Sequence, residues 1–418
     1  MNTSCKKITL DGAPVIEMKA GGYLAIVAPT VGSNIARLRD CRNKIEILRY
    51  HKEHPMRKLV ANPETYGLPT LYIPNRLNHG VLKVSDATYQ FPVNEVRFQN
   101  YLHGFLHKRN HTVIETAVDG DKVILKTQYI YDEKDLYFEY YPVKFQADYE
   151  FILDADGMHY NFTLTNLSDK QMPYGVCNHA SFKAPFTNKG KGKDIRLQLP
   201  IVKRCILNER QLPTGEVRDL STYDEQYLNG TKLVNKSPIN NDMYVMKTGE
   251  LDGRPFYGAI VTDQATGKRI CYEVDETFKF FIVWNDRGTK DYYCPEPMTW
   301  MIDAPNLDLP ADVTGYVELA PQESRTVSEH IFTKTKSNAL TSEAFSAFLQ
   351  EHGITDFYIV GADAAACIKS TCYNMAKKDY TVHVLSDCIT SYDKKKLPEM
   401  LAYYESKGCS VVELHEVT

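Results

Sequence analysis

The sequence predicts a mainly β protein, in which a large antiparallel β-sandwich is followed by a small α/β domain. Three observations support this prediction. Tyrosine is abundant, at 28 residues beside 2 tryptophans, and it favours half-buried strand faces. Short runs with period-two alternation recur between turn residues up to about residue 335. After residue 338, helical and strand-like segments alternate, as they do in a parallel sheet with crossover helices.

The clearest sandwich element is a hairpin predicted around the turn at residues 154–157. Tyr149, Phe151 and Leu153 fall on one face of its first arm, and apolar residues alternate again after Gly157. Asp and Gly in the turn tolerate the backbone conformations that tight turns need. Further short strands are predicted at 122–131, 268–274 and 278–284.

The second domain, predicted over 338–418, begins with a helix at 342–352. Apolar residues recur there at helical spacing, and Gly353 ends the pattern. The predicted order continues with strand 357–360, helix 364–378, strand 381–385, helix 394–407 and strand 410–414. The change of pattern places the sandwich domain at residues 1–334.

Composition excludes several classes of function. Lys and Arg total 49 against 53 Asp and Glu, a net charge of −4 without long blocks of one sign, so neither nucleic acid nor an anionic membrane is an expected partner. No apolar stretch approaches the ~18 residues of a membrane span, and the first residues lack the apolar core of a signal peptide. Ten scattered Cys without a C-x-x-C pair indicate free thiols and a cytoplasmic location.

Four short motifs in the sandwich region carry residues with chemical potential. They are Pro74-Asn75-Arg76, His103-Gly104-Phe105, Pro173-Tyr174-Gly175 followed by Asn178-His179 and Phe182, and Cys294-Pro295-Glu296-Pro297-Met298-Thr299. Each motif alone has an ordinary structural explanation, such as a hydrogen-bonded histidine or a surface ion pair. His103, His107 and His111 recur every four residues, but they lie among strands and need not share a face, so we expect no metal there.

In order and spacing, these motifs resemble those of the aldose 1-epimerase (galactose mutarotase) family over residues 1 to about 332. The resemblance implies a β-sandwich enzyme that interconverts the α and β anomers of a small sugar without a metal or cofactor. The reaction deprotonates the anomeric hydroxyl while it protonates the ring oxygen, so we expect a base and an acid on opposite sides of the sugar that can exchange roles. The resemblance assigns Glu296 as the base and His179 as the acid. We expect partial burial to raise the pKa of Glu296 and expect His179 to titrate near neutrality.

The resemblance also implies which residues hold the sugar. Arg76 and His103 match residues that bind its hydroxyls and ring oxygen, and Asn75 adjoins Arg76. The chain departs from the family at a sugar-binding Asp, where Asn241 stands with Asp242 beside it. The identity of the sugar, and whether it is phosphorylated, therefore stay open.

The second domain carries a cysteine at the start of a predicted helix. Cys367 follows strand 357–360 and lies where the helix dipole lowers a thiol pKa. The pattern resembles the second half of an isochorismatase- or nicotinamidase-like cysteine hydrolase. The family's catalytic Asp has no counterpart in this truncated domain, and its Lys would fall near Lys334 or Lys336. Cys367 is therefore interpreted as a vestigial nucleophile.

Three functions remain open at this stage: a sugar mutarotase, a non-catalytic carbohydrate-binding or sensing protein, and a cysteine hydrolase that uses Cys367. The presence of both Glu296 and His179 favours the first, because binding alone does not need an acid–base pair. In a truncated fold, strand 357–360 loses a neighbour and exposes an apolar edge. That edge predicts a covering by the sandwich, by a loop, or by the same edge of a second molecule in a homodimer through the C-terminal domain.

Overall fold

The computed structural model describes residues 3–252, 254–334, 338–341, 343–391 and 394–417. The chain folds into two compact units. The first holds the residues up to Gly249 together with Phe256–Thr333, and the second holds Glu250–Pro255 together with the chain from Lys334 onward. Glu250–Pro255 thus belongs to the second unit although it lies within the range 1–334 predicted for the sandwich.

The largest sheet of the first unit is antiparallel and contains the predicted hairpin. Tyr149, Phe151 and Leu153 are buried as predicted, and Gly157 adopts a φ of 128°, which its lack of a Cβ permits. The nine strands, in spatial order, are Thr112–Asp119, Lys122–Tyr131, Phe145–Asp154, Gly157–Asn166, Ser324–Lys334, Lys268–Val274, Gly258–Asp263, Ile195–Gln198 and Lys232–Leu233.

Two further antiparallel sheets complete the main framework of the first unit. An eight-stranded sheet runs in the order Pro213–Arg218, Ile201–Leu207, Asp242–Met246, Phe280–Trp284, Tyr292–Met298, Cys177–Asn178 and Thr70–Leu71, with Phe182–Lys183 also paired to Tyr292–Met298. A five-stranded sheet contains Ser4–Leu10, Ala13–Ala20, Tyr23–Ala28, Asn34–Asp40 and Ile45–Glu46. Buried side chains of all three sheets join one apolar core, which confirms the predicted antiparallel sandwich.

Short ribbons and helical turns connect these sheets. The ribbons pair Arg76–Asn78 with Asn100–Leu102, Val81–Val84 with Ala87–Gln90, and Met172–Pro173 with Glu318–Leu319. A further ribbon, Gly249–Leu251 with Arg254–Phe256, lies mostly in the second unit. The α-helices are Pro55–Ala61, Glu225–Leu228 and Ala311–Thr314, and the 3₁₀ turns are Pro63–Thr65, Leu106–Lys108, Gly192–Asp194, Asp286–Gly288 and Ala304–Asn306. Every helix in the described ranges is too short or too polar to cross a membrane.

The second unit has its own small core and a parallel sheet, which confirms the predicted α/β pattern. Its strands lie in the order Asp356–Gly361, Thr381–Ile389 and Ser410–Val412. Its helices are Ala339–Thr341, Glu343–Glu351, Ala364–Ile368, Lys369–Ala376, Lys394–Lys396, Leu397–Glu405 and Leu414–Glu416. A π-helical turn at Ala364–Ile368 replaces the first part of the α-helix predicted at 364–378. The strand Asp356–Gly361 lies at an edge, where Tyr358 and Val360 are half exposed.

Candidate active site

One pocket of the first unit, about 280 Å³ in volume, brings the four motifs together. Its lining includes six residues that the sequence analysis selected: Asn75, Arg76, His103, His179, Asn241 and Glu296. It also includes Glu64, Glu95 and Trp284, which the sequence analysis did not select. A concave site with convergent polar groups and one aromatic wall is typical of small-molecule binding.

The first two motifs meet across a short ribbon. Arg76 pairs with Leu102 in register, and the backbone N–H of His103 donates to the carbonyl oxygen of Asn75 at 2.7 Å. Asn75 and His103 adopt left-handed φ values of 51° and 70°, a costly conformation that clusters at functional sites. A Cβ on Gly104 would lie 2.2 Å from the carbonyl oxygen of Tyr72, so only glycine fits directly after His103.

The other two motifs place a histidine beside a glutamate. Glu296 lies within the strand Tyr292–Met298. One edge of this strand pairs with Phe182–Lys183 near one end and with Cys177–Asn178 near the other. The residues that connect those two short partners face the middle of the strand, and His179 is the first of them. The distance from His179 Nε2 to Glu296 Oε1 is 3.1 Å. No sugar fits between two groups in contact, so the expectation that they lie on opposite sides of it is wrong. Between these two short pairings, this edge of the strand has no regular strand partner among the residues that the structure describes. The two prolines that flank Glu296 are tolerated there because proline has no N–H to donate.

Burial dominates the electrostatics of this pair. Glu296 and His179 are 1% and 4% exposed. Burial raises the pKa of Glu296 to about 8, and the charge of Arg76 partly opposes this shift. Burial lowers the pKa of His179 to about 4, so the expectation that His179 titrates near neutrality is wrong. At pH 7 the pair is neutral and holds one transferable proton.

Arg76 is fixed in the pocket by Glu95. Its Nε and Nη2 donate to the two carboxylate oxygens of Glu95 at 2.8 Å each, and its Nη1 donates to Asn75 Oδ1 at 3.2 Å. The bidentate contact sets the plane of the guanidinium. Arginine has five N–H donors, so Arg76 retains donors for a ligand.

His103, His107 and His111 have separate neighbours. The rings of His103 and His179 meet edge to face, with centroids 5.1 Å apart. His107 Nε2 lies 2.9 Å from Glu64 Oε1, and His111 Nδ1 lies 2.9 Å from Ser33 Oγ. Although burial opposes ionisation of Glu64, hydrogen bonds from its basic neighbours hold its pKa below the usual range. The three histidines spaced by four residues therefore form no common ligand set.

The structure separates Asn241 from Asp242, which the sequence analysis grouped as sugar-binding residues. Asn241 lines the pocket and has a left-handed φ of 58°. Asp242 does not line it, because its carboxylate accepts hydrogen bonds from Arg204 Nη2 at 2.7 Å, Tyr223 at 2.7 Å and Tyr227 at 2.9 Å. Asp242 anchors the strand that follows Asn241, so of the two residues Asn241 is the one placed to meet a ligand.

The second unit offers Cys367 a poorer setting. The backbone N–H of Asp363 donates to Cys367 Sγ at 3.2 Å, and the thiol donates to the carbonyl oxygen of Ala362 at 3.1 Å. In the described part of the chain, the hydrogen bonds of this thiol are thus made with backbone groups. Lys334 Nζ forms an ion pair with Asp252, and Lys336 lies outside the described residues.

A family model described as aldose 1-epimerase matches residues 14–331. The chain belongs to the aldose 1-epimerase family. A second model, described as the isochorismatase domain, matches residues 309–416, and the two matches confirm both resemblances identified from the sequence. Membership of the aldose 1-epimerase family supports a sugar epimerase-type enzyme.

Solved structures and one curated protein are similar to this chain. A galactose mutarotase-like protein from Clostridium acetobutylicum is 32% identical, with a TM-score of 0.77 over 80% of this chain and 99% of that protein. Galactose 1-epimerase from Lactobacillus acidophilus NCFM shares the fold at 14% identity, with a TM-score of 0.59 over 80% of this chain and 98% of its own. The protein YihR of Escherichia coli K12 is 23% identical over 236 residues, which are 55% of this chain and 70% of YihR.

Proposed function

We propose that the sandwich unit is an aldose 1-epimerase that interconverts the α and β anomers of a sugar through Glu296 and His179. The observation that carries this proposal is the 3.1 Å contact between His179 Nε2 and Glu296 Oε1 within the pocket. Sugar binding alone needs hydrogen-bonding groups and an apolar wall. A buried acid–base pair is an additional feature, and it favours catalysis over a binding or sensing role.

The reaction begins from the form in which the shared proton lies on His179 and Glu296 is a carboxylate. The anomeric hydroxyl and the ring oxygen are bonded to the same carbon, so two adjacent side chains reach both. Glu296 accepts the proton of the anomeric hydroxyl, whose O–H electrons form the carbonyl bond. The bond between the anomeric carbon and the ring oxygen breaks, and that oxygen takes the proton of His179.

Ring opening leaves Glu296 protonated and His179 neutral, which is the form that burial favours. Rotation about the bond between the first two sugar carbons then turns the other face of the aldehyde toward the ring hydroxyl. On closure, His179 accepts the proton of that hydroxyl and Glu296 protonates the carbonyl oxygen. Both proton distributions of the pair are therefore used in every cycle, and neither residue needs an external proton.

The remaining pocket residues are proposed to hold the sugar. Arg76, fixed by Glu95, and His103 bind oxygen atoms near the reacting carbon, where the positive charge of Arg76 stabilises the developing negative charge. Asn75 and Asn241 each supply a donor and an acceptor for hydroxyl groups. The reaction as written consists of proton transfers between Glu296, His179 and the sugar.

Polarimetry on freshly dissolved α-anomers of several aldoses, free and 6-phosphorylated, tests the proposal. The protein should accelerate mutarotation of at least one sugar, and Glu296→Gln should lower that acceleration by about 10²–10⁴-fold, the usual contribution of a general acid or base. Glu115→Gln, at an exposed position, is the matched control. A protein that binds a sugar without accelerating its mutarotation would instead support the non-catalytic alternative.

A further inference from the structure

A third side chain lies beside the proposed acid–base pair. Potential metal-ligating atoms of His179, Cys294 and Glu296, one from each side chain, all lie within 4.8 Å of one another. All three residues are buried, and Cys294 is fully so. In the described ranges, no other set of three His, Cys, Asp or Glu residues is as close together.

The strand geometry explains why these groups converge. Cys294 and Glu296 are two residues apart in one strand, so their side chains project from the same face, and His179 comes from the segment opposite. Cys294 Sγ has a weak neutral neighbour, Ser181 Oγ at 3.5 Å. Glu296 Oε2 is buried and has no hydrogen-bond partner among the described residues, so the triad contains an unused acceptor.

We propose that His179, Cys294 and Glu296 form a binding site for Zn²⁺, and that the bound ion suppresses the reaction. Imidazole nitrogen, thiolate sulfur and carboxylate oxygen are the ligands that zinc takes, at about 2.0–2.3 Å. The donor atoms need movements on the order of 1 Å to reach those distances. His179 and Glu296 line the pocket whereas Cys294 does not, so the fourth coordination position opens toward the pocket, where water or a sugar oxygen can enter.

Zinc binding displaces protons. The ion takes the deprotonated forms of these ligands, so the proton of the Cys294 thiol and any proton on the His179–Glu296 pair leave to solvent as it binds. The thiolate and the carboxylate together compensate the two positive charges, so no uncompensated charge is buried. Zinc binding itself does not depend on the proposed function, whereas the suppression of mutarotation rests on it.

Cobalt titration of the full chain is the direct test. Co²⁺ should give a thiolate-to-cobalt charge-transfer band with one equivalent per chain, and Zn²⁺ should abolish the band by displacement. In weakly buffered solution at pH 7, an indicator should register proton release as Zn²⁺ binds. Cys294→Ser should lose the band and bind the ion about 100-fold more weakly or worse, because changes even behind the ligands of a metal cost 10–100-fold.

Two further variants test whether metal binding depends on the proposed ligands in particular. Cys205→Ser, which alters another buried thiol, should keep the band, and Glu296→Gln should weaken binding independently of the cysteine. Near-ultraviolet circular dichroism of each variant shows that it is folded. Absence of the band in the native protein, or the same cobalt spectrum and affinity in Cys294→Ser, would overturn the site.

The two proposals can fail separately. If the protein accelerates mutarotation, the ratio of rates without and with Zn²⁺ should be large in the native protein and close to one in Cys294→Ser. If the protein binds Co²⁺ through Cys294 but accelerates no mutarotation, the proposed function fails and the metal site stands. Mutarotation that is insensitive to a bound Zn²⁺ would overturn the suppression.

Discussion

Each unit of the chain carries a side chain suited to catalysis, but the surroundings of the two side chains differ. In the sandwich unit, His179 lies 3.1 Å from Glu296, and both line a pocket. In the second unit, the thiol of Cys367 hydrogen-bonds with the backbone of Ala362 and Asp363. A cysteine nucleophile needs a neighbouring base or cation to hold its thiolate. The difference between the two units thus lies in the neighbours of these side chains: His179 meets an ionisable partner in Glu296, whereas the thiol of Cys367 meets backbone groups.

The largest effect is expected when the acid–base pair is reduced to one member. His179→Asn removes the ring nitrogen that exchanges protons and should lower kcat for mutarotation by about 10²–10⁴-fold. Polarimetry measures the change, with His159→Asn on the largest sheet as the matched control. A rate within a few-fold of the native value would show that Glu296 acts without His179, and the contrast with Cys367 would disappear.

A smaller effect is expected from Arg76, which is proposed to bind the sugar. Arg76→Ala should raise KM by about 10–100-fold, because hydrogen bonds to charged groups are worth about 1.5–3 kcal/mol, and should lower kcat less. Arg97→Ala, at an exposed position nearby in the sequence, should leave KM unchanged. A fall of about 10–100-fold in kcat with an unchanged KM would instead show that Arg76 acts only in the transition state.

The pH dependence of kcat/KM should be bell-shaped, with apparent pKa values near 4 and 8 that belong to the pair. Below the first value the pair gains a second proton and has no base, and above the second it loses the shared proton and has no acid. The rate should fall about tenfold per pH unit beyond each limit. Mutarotation that rises steadily to pH 10 would contradict this assignment.

No effect on mutarotation is expected from a substitution in the second unit. Cys367→Ala should leave mutarotation unchanged, and neither the native protein nor the variant should release ammonia from nicotinamide. Cys388→Ala serves as the control for loss of a thiol in this unit. Amide hydrolysis that disappears specifically in Cys367→Ala would show that an acid or base from elsewhere completes a second active site.

Much of the fold was predictable because local patterns determine it. The period-two arms of the 145–166 hairpin match the observed strands, since one face of each arm is buried. The π-helical turn at Ala364–Ile368 was not predictable, because apolar spacing in so short a segment does not distinguish it from an α-helical start. The placement of Glu250–Pro255 in the second unit is a tertiary feature without a local signal.

The residues of the candidate site likewise divide into those that a local motif predicts and those that only the folded structure brings together. Glu296 and His179 lie in motifs, whereas Glu95 is recognised only through its contact with Arg76, 19 residues away in sequence. The only local signal for Trp284 was its place at the end of a predicted strand. The low pKa of His179 depends on burial by the whole sandwich, which no motif records. Asp242 was misplaced because its partner Arg204 lies on a neighbouring strand.

Trp284 also gives the protein an optical reporter of its own. The chain has two tryptophans. Trp300 is fully buried against Gly175, whereas Trp284 lines the pocket. Iodide in solution should therefore quench the emission of Trp284 far more than that of Trp300, and a sugar that fills the pocket should protect it. Occupancy then becomes measurable by fluorescence, without a labelled ligand, even in variants that bind the sugar and cannot turn it over.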